Sequence, residues 1–361
     1  MFFGLWYNIV ILIFGVVNLV KKLSQRHRNW LRAKSKKEIR RRNRYNHKKH
    51  IVPNYLAYPT NNQHDGGIGN VVTAPSNLSF FSNASETLSF FRKVNERIFD
   101  TKYRGCIYFD LSKIETVSVD AIMYLIAMIK NTKRLKAYQI DCLGNVPANE
   151  NARRIIESCG FYHHVSSKYK FNVSDEYDHI NITRGKEANP IFAGNVCKFV
   201  HEHSNIDRVK TKSLYTMIIE LMANTKQHAY NNNNGMEENW YVFVEDRESY
   251  MKFVFLDTGA GIPNTIRTKG LLEKFKNLFS YDDAYFIASA LKGEILRSET
   301  NLEYRGQGLP EIYKRASSSY IDKFSVVSGR GKCYIDNNGD IVEENLTDEL
   351  TGTLLSWIIN K

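Results

Sequence analysis

Residues 253–263 read FVFLDTGAGIP, and this stretch decides how the C-terminal half of the chain folds. Its apolar first part predicts a buried strand that ends at Asp257, followed by a turn that carries Gly259 and Gly261. A second apolar run, residues 241–245, predicts the other strand of a hairpin. Because glycine leaves the backbone bare, a ligand can approach the turn beside the Asp257 carboxylate. The alternative is a plain D-T-G turn that only closes the hairpin.

A helix with one polar face is predicted upstream, where residues 213–230 read SLYTMIIELMANTKQHAY. Glu220, Asn224 and His228 are spaced by four residues and therefore project along one face of this helix. The opposite face can contact a core, and it carries Met217, Ile218, Leu221 and Met222. A polar stripe on an apolar helix favours a helix that covers a ligand, and an ordinary solvated face is the alternative.

A glycine-rich turn precedes another predicted helix, where residues 305–316 read RGQGLPEIYKRA. Gly306 and Gly308 stand just before this helix, which begins near Leu309. Glycine amides at the amino end of a helix form a cradle for phosphate groups. Arg305 can add a charge-assisted hydrogen bond to such a group.

The last piece of the pattern is residues 350–359, LTGTLLSWII, which predict a final strand. In order, the pieces E-x-x-x-N, D-x-G-x-G, G-x-G-L and G-T resemble the N, G1, G2 and G3 boxes of the GHKL ATP-binding fold. Histidine kinases, Hsp90 and anti-sigma factor kinases share this fold. The resemblance covers residues 205–361 and implies an α/β sandwich that binds ATP together with Mg²⁺.

The resemblance also implies a role for each matching residue. Asn224 would supply an oxygen ligand to Mg²⁺, and Glu220 would orient or deprotonate the attacking water or hydroxyl. Asp257 would accept a hydrogen bond from the adenine 6-amino group, which guanine lacks, and Thr353 would reach Asp257 and an adenine-side water. His228 lies past the usual magnesium position, and a structural cap is the equal alternative for it. The implied nucleotide-binding residues are Asn224, His228, Asp257, Gly259, Gly261, Arg305, Gly306, Gly308, Leu309 and Thr353.

A smaller α/β domain is predicted over residues 85–165, where helices alternate with short strands and favour a parallel sheet. Within it, IYFDLSKIETVSVDAIMYLIAMIKN resembles the STAS domain of anti-sigma factor antagonists. That family carries a phosphorylatable serine where this chain has Val119, between Ser118 and Asp120. The resemblance therefore leaves phosphorylation open and suggests that Asp120 mimics a permanent negative charge. A generic α/β packing domain is the alternative.

The amino end differs in composition from the rest of the chain. Residues 1–20 carry no ionisable side chain, and residues 21–50 hold 14 basic residues and one acid of a chain whose net charge is +12. This order predicts a transmembrane anchor with the remainder facing the cytoplasm. The alternatives are an apolar extension of a cytoplasmic protein or a start codon assigned too early. The basic segment suits anionic lipid headgroups, and nucleic acid phosphates are a second possible partner.

Two further segments are predicted to connect these parts: a polar linker over residues 51–84 and a connector over residues 166–204. A mobile ATP lid is expected over residues 264–304, between the second and third boxes. The five cysteines are widely spaced and form no C-x-x-C pair, which excludes a zinc-ribbon or disulfide-rich class and favours a reducing compartment.

The predicted fold class is therefore α/β: a hydrophobic N-terminal helix, a STAS-like domain and a GHKL sandwich. No H-E-x-x-P-like phosphoacceptor precedes the ATP domain, so the pattern most resembles an anti-sigma factor kinase. The predicted function is an ATP-binding regulatory protein, an ATPase or Ser/Thr protein kinase that acts on a protein partner. The alternatives are an ATP-gated binding module without turnover and a membrane-associated histidine kinase-like sensor.

Overall fold

A computed structural model of the chain describes residues 71–99, 106–138, 140–165, 178–204, 206–227, 235–268, 281–294, 308–316 and 321–361. The predicted anchor (residues 1–20) and basic segment (residues 21–50) lie outside the described residues. Within the described ranges, no helix is both long enough and apolar enough to cross a membrane.

The N-terminal subdomain, residues 71–165, contains the predicted parallel sheet. Its three strands, in the spatial order β1-β3-β5, are β1 (Val71–Thr73), β3 (Ile107–Asp110) and β5 (Cys142–Gly144). A second, two-stranded sheet joins β2 (Asn77–Leu78) to β4 (Thr116–Val117). The helices are α1 (Ala84–Phe99), α2 (Val119–Asn131), α3 (Lys133–Tyr138), α4 (Glu150–Ser158) and α5 (Phe161–Val165). The prediction of a parallel sheet in this subdomain is confirmed.

The prediction of a linker over residues 51–84 is wrong for its C-terminal part. From Val71 on, the chain forms β1 and β2, and β1 pairs in parallel with β3. Val72 and Leu78 are buried in the core of the subdomain. The sequence does not predict these strands, because each contains only one or two apolar residues and is flanked by the glycines and asparagines that are typical of a linker.

The C-terminal subdomain, residues 178–361, is built on a five-stranded antiparallel sheet in the order β6-β7-β8-β10-β9. Its strands are β6 (His179–Gly185), β7 (Trp240–Asp246), β8 (Tyr250–Asp257), β9 (Ile321–Ile335) and β10 (Ile341–Asn360). The predicted hairpin is the pair β7 and β8. The described helices are α6 (Pro190–His203), α7 (Arg208–Gln227), α8 (Ile262–Thr268), α9 (Asp283–Lys292) and α10 (Gly308–Ala316).

The assignment of residues 166–204 to a connector is also wrong, because the second half of that range belongs to the sandwich. Strand β6 forms the edge of the sheet, and α6 packs against α7. The local signal for α6 is a good one, since the Asn189 side chain accepts a hydrogen bond from the Phe192 N–H at 3.0 Å and Pro190 follows it. An asparagine cap followed by proline is a favourable helix start.

The expected lid over residues 264–304 contains a core helix. Seven of the ten residues of α9 are buried, and the helix packs against β9. The sequence DAYFIASALK has enough apolar and small residues to bury such a helix, so α9 is part of the sandwich and not of a lid. Residues 269–280 and 295–304 of the expected lid lie outside the described residues.

The central sheet is buried on both faces. Phe253 and Phe255 of β8 join the core beneath the helices of the C-terminal subdomain, whereas Val254 and Leu256 join the core of the N-terminal subdomain. Because successive side chains of a strand point to opposite faces, a strand between two cores is apolar throughout. This double burial accounts for the uninterrupted run FVFL before Asp257.

Candidate functional site

The candidate site is centred on Asp257, the last residue of β8. The pairing register places it between Trp240 of β7 and Thr353 of β10, so it lies at the end of two adjacent strands and next to a third. Its Oδ1 accepts a hydrogen bond from the Gly259 N–H at 2.7 Å, and the Thr353 hydroxyl donates a further hydrogen bond to the carboxylate. The structure therefore joins Asp257 and Thr353 as the sequence predicts.

The surroundings of Asp257 disfavour its negative charge. Burial raises the pKa of this carboxyl from its ordinary value of 3.8 to about 6, and the nearby charge of Glu238 acts in the same direction. The hydrogen bonds from Gly259 and Thr353 oppose the rise. An additional hydrogen-bond donor that reaches the remaining lone pairs of this carboxylate would stabilise its charged form.

The glycines around Asp257 are required by contacts within the protein itself. A Cβ on Gly259 would lie 2.7 Å from Asp257 Oδ1, and a Cβ on Gly261 would lie 2.9 Å from the Gly352 carbonyl oxygen. Gly261 and Gly352 also have φ angles of +82° and +97°, which L-residues rarely adopt. The glycines thus allow the turn and β10 to close tightly around the carboxylate, a reason that the motif alone did not reveal.

Sequence reasoning missed Ser328, a fully buried residue of β9 that pairs with Thr353 of β10. Its hydroxyl donates to the Gly352 carbonyl at 2.7 Å and accepts from the Ile262 N–H at 2.9 Å. Ser328 Oγ also lies 3.3 Å from Thr353 Oγ1. Only the pairing register of β9 and β10 places Ser328 beside Thr353, and this register cannot be read from the sequence alone.

Helix α7 carries its residues on the faces that the sequence predicts. Glu220 and Asn224 are half-buried. The opposite face is buried in the helix-side core and consists of Met217, Ile218, Leu221 and Met222. The C-terminal part of α7 runs beside the glycine turn, since a Cβ on Gly259 would lie 4.0 Å from the Thr225 carbonyl oxygen. The structure thus brings the segment that contains Asn224 next to the turn after Asp257.

The third predicted segment is described only in part. Helix α10 begins at Gly308, as expected from the sequence, and packs against α7, while Leu309 contacts the helix-side core. The predicted contributors Arg305, Gly306 and His228 lie outside the described residues. Helix α10 therefore packs against the helix that carries Glu220 and Asn224.

Asp120 does not present a charge at the surface, and the interpretation of this residue as a phosphate mimic is wrong. Its side chain is completely buried, and its Oδ1 accepts a hydrogen bond from the Phe80 N–H at 2.9 Å. Ser118 donates to the other oxygen, and burial raises the pKa of the carboxyl against the attraction of Lys252. Asp120 instead ties the start of α2 to the turn before α1.

Comparison with known proteins identifies no family for this chain. It matches no model of a protein family, and a search of curated proteins found no match either. The described part of the chain also holds no group of three or more His, Cys, Asp or Glu side chains that could bind a metal ion on its own.

Proposed function

We propose that the C-terminal subdomain binds ATP with Mg²⁺ as a GHKL-type domain, and that the chain is an ATP-dependent regulatory protein. The observation that carries this proposal is the arrangement at Asp257. Its carboxylate stands at a strand end beside a tight glycine turn, holds a hydrogen bond from Thr353, and adjoins the helix that carries Asn224. This proposal is supported by the described parts of three segments, in which α7 adjoins the turn after Asp257 and Thr353 pairs with Asp257.

The Asp257 carboxylate fits the adenine 6-amino group. An ionised carboxylate offers about four lone pairs, and Gly259 and Thr353 use two of them. Asp257 keeps a partly exposed side chain, so an amine can approach the remaining lone pairs. Guanine carries a carbonyl oxygen where adenine carries the amino group. This oxygen cannot donate a hydrogen bond to the Asp257 carboxylate, so the site is expected to favour ATP over GTP.

The polar face of α7 suits the phosphate end of the nucleotide. Mg²⁺ prefers oxygen ligands and is commonly held by one or two side chains together with substrate phosphates. The Asn224 amide oxygen provides such a ligand. Glu220 lies one helical turn before it, on the same face, where a carboxylate can orient or deprotonate an attacking water or hydroxyl.

We infer a regulatory role from the way in which the two subdomains share a core. Residues 53–361 form one compact unit, and one apolar cluster contains side chains from both subdomains. A STAS-like subdomain that covers the sheet of a GHKL-type ATPase or Ser/Thr kinase suits a regulatory protein, which either controls a protein partner or is controlled by one.

We further propose that residues 1–20 anchor the chain in a membrane with the remainder in the cytoplasm, and that residues 21–50 contact anionic lipid.

The proposal is tested by calorimetric titration of the full chain with Mg·ATP and Mg·GTP. Wild-type protein is expected to prefer ATP, and Asp257→Asn is expected to weaken ATP binding at least about tenfold, equivalent to about 1.4 kcal/mol. Asp110→Asn is the matched control, because Asp110 also ends a strand but lies in the other sheet. Absence of ATP binding to the wild type, or equal affinity in the Asp257 variant, would refute the assignment.

A second measurement separates hydrolysis from transfer. ATP radiolabelled on its terminal phosphate is incubated with the full chain, and free phosphate and labelled protein are counted separately. Release of phosphate alone indicates an ATPase, and labelled protein indicates a kinase. Binding without either product would favour the ATP-gated binding module.

A further inference from the structure

Asn131, the last residue of α2, connects the N-terminal subdomain to the turn after Asp257. Its side chain is fully buried, and its Nδ2 donates to the Thr258 hydroxyl at 3.1 Å. Its Oδ1 accepts from the Tyr241 hydroxyl at 3.0 Å, and its carbonyl oxygen accepts from the Glu237 N–H at 2.8 Å. Two hydrogen bonds of the Asn131 side chain and one of its backbone carbonyl thus reach the C-terminal subdomain.

Tyr124 makes a second contact from the same helix. Its hydroxyl accepts a hydrogen bond from the Thr351 N–H at 3.1 Å. The ring is held by edge-to-face contacts with Phe80 and Phe91, whose centroids lie 5.3 and 4.8 Å away. Tyr124 and Asn131 are seven residues apart, so they lie on one face of α2, about 10 Å from each other along the helix axis.

The two contacts reach the two strands that pair at the candidate site. Thr258 directly follows Asp257 at the end of β8, and Thr351 precedes Thr353 by two residues on β10. Thr353 pairs with Asp257. Helix α2 is therefore bonded to both strands of this pair, at the residue after Asp257 and two residues before Thr353. A shift of α2 would therefore change the separation or the angle of the two groups that bind the adenine in the proposed function.

We propose that Asn131 and Tyr124 are positioning residues for nucleotide binding, and that α2 transmits the state of the N-terminal subdomain to the Asp257–Thr353 pair. This inference rests on the proposed ATP site. Hydrogen bonds of buried polar side chains specify geometry as well as stability, because a displaced arrangement breaks them and leaves the buried groups unsatisfied. A partner that moves α2 would thus lower or raise the affinity for ATP without touching the nucleotide.

The test compares Tyr124→Phe and Asn131→Leu with the matched control Thr132→Val in the full chain. Thr132→Val removes a buried hydroxyl beside Asn131 that bonds to the Met128 carbonyl of α2 itself, and it leaves the contacts of Asn131 and Tyr124 in place. ATP affinity is measured by calorimetry and stability by thermal unfolding. Tyr124→Phe and Asn131→Leu are expected to weaken ATP binding about 3- to 10-fold, the effect of one hydrogen bond, and the control less than twofold.

Amide hydrogen exchange of nucleotide-free protein gives a readout that does not depend on ATP. Compared with the control, exchange is expected to be faster across residues 257–262 in Asn131→Leu, because the turn has lost a contact to α2, and at the Thr351 N–H in Tyr124→Phe, because this N–H has lost its acceptor. If the wild type binds ATP and all three variants bind it equally, the positioning role is overturned while the ATP site stands. If the wild type does not bind ATP, the proposed function fails, and unchanged exchange in both variants would overturn the positioning role independently.

Discussion

Replacement of Asp257 by asparagine should stabilise the nucleotide-free protein while it weakens ATP binding. Burial raises the pKa of this carboxyl from 3.8 to about 6, so the folded protein binds a proton more tightly than the unfolded chain. The contribution of this carboxyl to the free energy of unfolding is fully present below pH 3.8, and it is lost as the pH rises through about 6. Asparagine keeps the shape and the acceptor oxygen without the charge.

The size of the effect follows from the pKa difference. Each pH unit between the folded and unfolded pKa corresponds to about 1.4 kcal/mol, so a difference of about two units sets an upper limit near 3 kcal/mol above pH 7. The side chain is partly exposed and retains some hydration, which lowers the expected gain to about 2 kcal/mol. For a chain of 361 residues, with an entropy of unfolding of about 2.1 cal/mol/K per residue, that gain corresponds to a rise of the melting temperature by about 3 °C.

The assay is thermal unfolding of wild type and Asp257→Asn between pH 4 and pH 8.5. The two proteins should be equally stable near pH 4, and the variant should become more stable above pH 6. Mg·ATP at a concentration that saturates both proteins should reduce the stability difference at pH 7.5 by at least about 1.4 kcal/mol, because the variant binds ATP at least about tenfold more weakly. A variant that is less stable than the wild type at every pH, with a parallel pH dependence, would refute the idea of a buried, desolvated carboxylate.

Three further predictions follow from the other parts of the chain. Glu220→Gln should abolish turnover and leave ATP binding intact, whereas Asn224→Ala should also weaken magnesium-dependent binding; unchanged turnover in both variants would contradict the helix-face assignment. Ser328→Ala should lower stability by about 1–3 kcal/mol and weaken ATP binding, since it leaves the buried Ile262 N–H without its acceptor; Ser328→Thr, which keeps the hydroxyl, should lose less affinity for ATP. Deleting residues 2–20 should convert a protein that resists high salt and alkaline extraction from membranes into one that salt releases; full-length protein in the soluble fraction at low salt would contradict an anchor.

The sequence predicts the elements that have strong local patterns. Apolar periodicity predicts helix α2, the hairpin of β7 and β8, and the two faces of α7, because each of them spans enough residues to repeat its pattern. The pairing of Thr353 with Asp257 followed from the resemblance to a known motif. These parts predict which elements meet at Asp257.

The elements that sequence reasoning missed depend on contacts between distant parts of the chain. Strands β1 and β2 are too short to show a period, and only pairing with β3 and β4 defines them. Helix α9 has the charged ends of a surface helix, and its burial against β9 is visible only in three dimensions. Ser328 carries no motif at all, since its role arises from β-sheet register.

The shared core also bears on how the chain can be regulated. In many α/β sandwiches one face of the sheet is free to meet a partner, but here Tyr241, Phe243, Val254 and Leu256 pack into the core of the N-terminal subdomain. Separating the subdomains would expose these side chains to water, and each buried side chain of this size contributes about 1.5–3 kcal/mol. Regulation by dissociation of the subdomains would therefore cost several such contributions at once. Small movements of α2 against the sheet require no such exposure, which favours them as the route by which the N-terminal subdomain acts on Asp257.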